Sequence, residues 1–191
     1  MISLRRLILT AVFVTLTASG AWAQNKLHAS YKVAEKYLRA IQFHEWGEAA
    51  DLVESRSLDN LKNYQRRYLQ RAPTIAEEQE LLRLLGMADI SDLDKMSPRE
   101  VFIRRGQAKT KQLLNAEKHI AEMKESFVMK TLGTTPEGPN TVHVIVRKEF
   151  ASKSEGKGFS ELTFISLVKE GTVWKISLDA QEPKRFNLKK S

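Results

Sequence analysis

The stretch Phe159–Asp179, FSELTFISLVKEGTVWKISLD, constrains the chain more than any other. Two runs rich in Phe, Ile, Leu, Val, Thr and Trp lie on either side of Lys169-Glu170-Gly171, and such runs around an acidic-glycine turn form a β-hairpin. A lone hairpin is at best marginally stable in water, so the upstream sequence has to supply further strands and the helices that cover this sheet. Two registers satisfy the pattern. A two-residue turn at Glu170-Gly171 sets Leu167 opposite Trp174 and Ile165 opposite Ile176; a three-residue turn at Lys169-Glu170-Gly171 sets Ser166 opposite Trp174 and Phe164 opposite Ile176. In both, Trp174, Ile176 and Leu178 share one face while Lys175, Ser177 and Asp179 take the other, so the last strand is half-buried.

Arg5 and Arg6 precede the apolar stretch Leu7–Leu16, and Ala21-Trp22-Ala23 precedes Gln24. A basic start, an apolar middle and small residues at the last and third-last positions are the parts of a secretory signal peptide. The apolar run is shorter than the roughly 20 residues that span a bilayer. Residues 1–23 are therefore expected to be cleaved, with a single domain over 28–180, a basic tail over 181–191 and no transmembrane segment after cleavage. Loss of Arg5 and Arg6 takes the formal net charge from +8 to +6. The absence of cysteine excludes disulfides, thiolate metal sites and a lipidated leader. An exported, periplasmic or secreted protein that relies on packing alone is the consequence. Export, together with basic residues interleaved with acids, argues against a nucleic-acid partner.

Apolar residues at Val33, Ala34, Tyr37, Leu38 and Ile41 recur at helical spacing and predict an amphipathic helix over Ser30–Phe43. His44-Glu45-Trp46-Gly47 breaks it, and Ala49, Ala50, Leu52 and Val53 begin a second, short helix with Trp46 at the bend. A third pattern through Leu58, Leu61, Tyr64, Tyr68 and Leu69 ends before Pro73. Thr74 and Glu77 form a capping box for a helix closed by Gly86. Asp89–Met96 reads as a polar connection whose aspartates serve turns and caps. Ser97, Pro98 and Glu100 then give the sharpest helix start in the chain, with Val101, Phe102, Ala108, Leu113 and Leu114 as its buried stripe and Gly106 as a weak point.

Beyond Glu122 the period becomes extended. Ser126–Leu132 reads as a strand, and Gly133–Pro139, with two prolines and two glycines, as a loop outside any ladder. Thr141–Phe150 is a strand that sends Val142, Val144 and Val146 to a dry face and His143, Ile145, Arg147 and Glu149 to a mixed one. Helices followed by about four antiparallel strands make an α+β domain with the N-terminal helices packed on one face of the sheet.

In FHEWGEAADLV (Phe43–Val53), MSPREVF (Met96–Phe102) and VKEGTVWKISLD (Val168–Asp179), the chain resembles the NTF2-like superfamily, especially its small exported bacterial members of uncharacterised function. The resemblance implies a curved sheet forming a cone-shaped α+β barrel with an internal cavity, and pairing of two copies through the sheet. Members include isomerases, dehydratases and hydrolases as well as proteins that bind small molecules or other proteins. No residue here matches their catalytic positions, so no catalytic role is carried over.

The motifs that would mark chemistry are absent from the sequence: there is no His-Glu-x-x-His metal pair, no Gly-x-Ser-x-Gly elbow and no phosphate loop. No metal or cofactor is implied. The pocket candidates are aromatic groups and titratable groups that a cavity would desolvate: Tyr37, Trp46, Tyr68, His143, Glu149, Glu161 and Trp174. Arg104, Arg105 and Lys109, with Lys184 and Arg185 of the tail, are candidates for an anionic surface. The leading expectation is a noncatalytic envelope domain that binds a small apolar ligand or a protein partner. The alternatives are an NTF2-like isomerase or hydrolase using a pocket acid or histidine, and electrostatic attachment to an anionic membrane or cell-wall polymer.

Overall fold

A computed structural model describes residues 29–72, 74–112, 116–152 and 157–178. Within it Val142, Val144 and Val146 are all buried, as strict alternation along a half-covered strand requires. They belong to β2 (Thr141–Ser152), which lies between β1 (Val128–Pro136) and β3 (Lys157–Glu170); β4 (Val173–Ser177) completes the sheet. The order is β1-β2-β3-β4 and each neighbouring pair is antiparallel. The protein is thus an α+β domain in which helices precede a four-stranded antiparallel sheet.

The closing hairpin takes neither of the registers expected from the sequence. Glu170 pairs with Val173, Lys169 with Trp174 and Leu167 with Ile176, leaving Gly171-Thr172 as the turn. Gly171 has φ +63°, and the mirror-image turns that suit twisted strands need a positive φ at their first central position. Glycine therefore opens the turn rather than closing it. Ile176 is fully buried, and Trp174 and Leu178 pack against the same core, so the shared face of these three residues is retained.

β1 also departs from expectation, because Gly133–Pro136 belong to the ladder. The register shifts between Thr131 and Gly133, a bulge that leaves Leu132 out of the pairing, and Pro136 is the terminal residue opposite Val142. Both features are tolerated because β1 is an edge strand.

Among the described residues seven helices cover the inner sheet face or extend from it. α1 spans 29–42 and ends where His44 adopts φ 60°. It is followed by α2 (Trp46–Asp51), α3 (Ser55–Gln70), α4 (Ile75–Leu85), α5 (Ser91–Lys95), α6 (Pro98–Lys111) and α7 (Ala116–Ser126). The local signals act as the sequence dictates. The Thr74 and Ser97 hydroxyls each accept from the backbone N–H three residues on, at 3.2 Å, and Gly86 closes α4 at φ 67°. Two elements differ from expectation. α5 occupies part of the polar connection, held by the Asp92 carboxylate, which accepts from the Ala88 N–H at 2.9 Å. α7 continues four residues past Glu122, because Met123 and Phe127 pack with Phe43 beneath its end. Leu113, Leu114 and Pro73 lie outside the described residues.

The main core joins Ala34, Tyr37 and Leu38 of α1, Ala49 and Ala50 of α2 and Phe102 of α6 to the inward side chains of β2, β3 and β4. Each large apolar side chain buried there is worth about 1.5–3 kcal/mol. A second cluster, built from Leu69, Leu82, Leu85, Leu93, Met96 and Val101, binds α3, α4, α5 and α6 to one another away from the sheet. The link between α2 and α3 covers the free edge of β4. The Ile176 N–H donates to Leu52 O at 2.8 Å, the Glu54 N–H donates to Ile176 O at 3.0 Å, and the Leu178 N–H donates to the Ser57 hydroxyl at 3.0 Å. An unpaired row of backbone groups is thereby removed from solvent. No helix among the described residues is long and apolar enough to cross a membrane.

Candidate functional site

The site is set by Trp46 at the start of α2. Its indole N–H donates to the Thr110 hydroxyl of α6 at 3.0 Å, and that hydroxyl donates to Gly106 O at 3.2 Å. The ring lies edge-on to Phe102, with centroids 6.4 Å apart, and is stacked with His44 at 5.7 Å. Contact with α6 is close because residue 106 has no side chain: a β-carbon there would sit 2.1 Å from Trp46 Cδ2. A glycine that costs helix propensity is thus the position where α2 docks on α6.

This docking leaves a cleft of about 790 Å³ among α1, α2, α3, α6 and the end of the sheet. Its apolar lining consists of Tyr37, Ile41, Trp46, Leu61, Phe102 and Leu178, with Tyr64 at the rim. Burial pushes the Tyr37 hydroxyl well above the usual phenol range, so it is a neutral group at any physiological pH. Ser57 and Asn60 also contribute. The charged lining residues are Arg67, Arg105 and Lys109, and no Asp, Glu or His among the described residues lines the cleft. In size the cleft falls within the range of small-molecule sites.

A neighbouring depression of about 670 Å³ between α3 and α4 is lined by Tyr64, Arg67, Tyr68, Arg71 and Leu81. Tyr64 and Tyr68, one helical turn apart on α3, stack with centroids 6.1 Å apart and form the ridge between the two spaces.

No family model, curated protein or solved structure matches this chain significantly.

The sequence-derived candidates divide between the faces of the molecule. Tyr37 and Trp46 meet in the cleft, Tyr68 stands beside it, and Trp174 packs on the inner sheet face with Lys169 Nζ 5.6 Å from its ring centroid. His143 and Glu149 share strand parity as expected, but on the face of the sheet turned away from the helices. His143 is bonded there to Ser166 and Glu137, each at 2.8 Å, and Glu149 is exposed. Glu161 pairs with Lys148 at 3.0 Å.

The basic candidates divide as well. Arg104 is held by Glu100 at 2.8 Å and by the Gly86 carbonyl at 2.9 Å, so it ties α6 to the end of α4. Arg105 and Lys109 line the cleft instead, while Lys184 and Arg185 lie outside the described residues. Ile41, Leu61, Arg67, Phe102 and Leu178 were not singled out for a pocket by the sequence. The one available signal was Gly106 inside α6, since a missing side chain in a helix marks a place where a large group comes close. Among the described residues no group of three or more His, Asp and Glu is placed to hold a metal ion.

Proposed function

We propose that this chain is an exported, noncatalytic NTF2-like domain of the cell envelope that holds a small, largely apolar ligand in the cleft formed by α1, α2, α3 and α6. The observation that carries the reading is the lining itself. Six apolar or aromatic side chains surround a volume of ligand size; Tyr37 among them is kept neutral by burial, and the charged groups of the described lining are three cations. General acid–base work at neutral pH calls for a group that gives and takes a proton there, and the acids and histidine proposed for that role occupy the sheet instead. This favours binding over an isomerase or hydrolase.

Displacement of an apolar naphthalene dye from the purified chain tests the proposal. Leu61→Trp, which fills the cleft, is expected to abolish dye binding while leaving the circular dichroism spectrum unchanged. Equal dye binding by the variant and the original chain would overturn the reading.

A second reading, pairing of two copies through the sheet, is favoured by a separate observation. On the outer face Phe164 is 66% exposed and Leu162 53% exposed. Phe164 is paired across the sheet with the half-buried Ile145. A contiguous apolar surface of this kind is a protein-contact signal.

A further inference from the structure

We propose, building on the cleft assignment above, that the ligand is an anionic amphiphile: a single-chain carboxylate of the fatty-acid class, with its head group at Arg67, Arg105 and Lys109 and its chain along Ile41, Leu61 and Phe102. The first support is how α6 uses its cations. Arg99 donates to Asp51 of α2 at 2.7 Å, and Arg104 donates to Glu100 one turn earlier in α6 at 2.8 Å and to Gly86 O at 2.9 Å, so both are committed to partners outside the cleft. Arg105 and Lys109 sit one turn apart on the cleft side of the same helix, facing Arg67 of α3. None of these three makes an ion pair within the described residues. Like charges at this helical spacing destabilise each other, and the described residues of the cleft supply no carboxylate to offset them. A bound anion does.

The second support concerns the body of the ligand. Two polar groups of the cleft wall, on Trp46 and Ser57, are already used by the protein. The Trp46 N–H donates to Thr110, and the Ser57 hydroxyl donates to Glu54 at 2.7 Å while accepting from the Leu178 N–H. Along Ile41, Leu61 and Phe102 a sugar or a nucleobase would find its polar edges unmatched, at a desolvation cost, whereas an alkyl chain loses nothing there. The Arg105 guanidinium, 5.8 Å above the Tyr64 ring, is oriented by that contact and presents a planar fork suited to a carboxylate.

Calorimetric titration of the purified chain with three amphiphiles of one chain length and different heads, each below its micelle concentration, tests this. Laurate is expected to bind about tenfold or more tightly than dodecyl maltoside, and dodecyltrimethylammonium more weakly than either. The double variant Arg105→Gln, Lys109→Gln should weaken laurate by a similar factor and leave dodecyl maltoside unchanged. Arg104→Gln, one residue away but outside the cleft, should lower the melting temperature and leave laurate affinity intact. Equal affinity for all three heads, or no effect of the double variant, would overturn the anionic head while the apolar cleft stands. Failure of every amphiphile to bind, with Leu61→Trp no different in dye binding, would remove the cleft assignment itself. Attachment to phosphatidylglycerol vesicles through Arg105 and Lys109 without laurate binding would assign these cations to a bilayer surface and overturn the proposal.

Discussion

The indole of Trp46 occupies the volume that a side chain on residue 106 would need. Three ring atoms lie 2.1, 2.4 and 2.7 Å from the position of a β-carbon on Gly106, and they belong to a rigid bicycle whose N–H is bonded to Thr110. Gly106→Ala gains about 1 kcal/mol of helix propensity. It also forces the ring or α6 to move, at about 1–3 kcal/mol for overpacking. The expected balance is a loss of stability of up to about 2 kcal/mol in urea unfolding, accompanied by a change in dye affinity because Trp46 lines the cleft. Gly133→Ala is the control. Nothing lies within 4 Å of its added methyl and its φ is not in the left-handed range, so stability is expected to be unchanged or slightly raised.

The α6 cap should matter in the same measurement. Ser97 has an extended backbone, and its hydroxyl accepts from the Glu100 N–H at 3.2 Å immediately before Pro98. Ser97→Ala leaves that donor to water and is expected to cost about 1 kcal/mol. Ser97→Asp keeps the acceptor and adds a negative charge at the positive end of the helix. It should restore or exceed the original stability at neutral pH.

Both Ser97 and Gly106 could be seen in the sequence, but for different distances of argument. A cap is a matter of three or four adjacent residues, so Ser97-Pro98-Glu100, Thr74 with Glu77 and Gly86 were all legible, as was the Val142, Val144, Val146 alternation. Pairing across strands is not local. The turn at Gly171-Thr172 and the run of β1 through Pro136 depend on which neighbour each strand finds, and composition alone pointed elsewhere. The cleft is further from the sequence still. Tyr37, Trp46, Leu61 and Arg105 come from four helices, and no periodicity within one helix announces the others. Trp46 was legible as a group that packs at a bend, while its partner Gly106 registered only as a weak point in α6.

Asp92 gives a pH prediction with a defined sign. The salt bridge from Lys95 at 2.9 Å and the N–H groups of Ala88 and Asp89 hold its carboxyl at about 2, below its ordinary 3.8. A folded-state pKa below the unfolded one means stability that is fully present above 3.8 and lost as pH falls toward 2. Asp92→Asn is therefore expected to melt at a lower temperature than the original chain at pH 7. The difference should shrink between pH 4 and pH 2, where the aspartate takes up its proton. A difference that stays constant across that window would show that the carboxylate charge contributes nothing. Carboxyl chemical shifts followed by NMR should place the Asp92 midpoint at about 2.

The outer face of the sheet supplies the last prediction. Phe164 and Leu162 lie on β3 two residues apart, beside Ile145 and Arg147 of β2, and Val128 and Val173 are exposed on the flanking strands. The helices among the described residues lie on the inner face, so a partner for this surface comes from outside them. A second copy presents the same patch and can close by two-fold symmetry without a matching partner surface. A stable dimer buries on the order of 800 Å² per subunit, which would take most of this face. Sedimentation velocity is expected to report a dimer for the original chain and a monomer for Phe164→Lys. Because Phe164 is largely solvent-exposed in the single chain, the substitution should leave its melting temperature nearly unchanged when both proteins are diluted to monomers. A monomer at every concentration for the original chain would leave Phe164 to a different protein partner and reject the symmetric pairing.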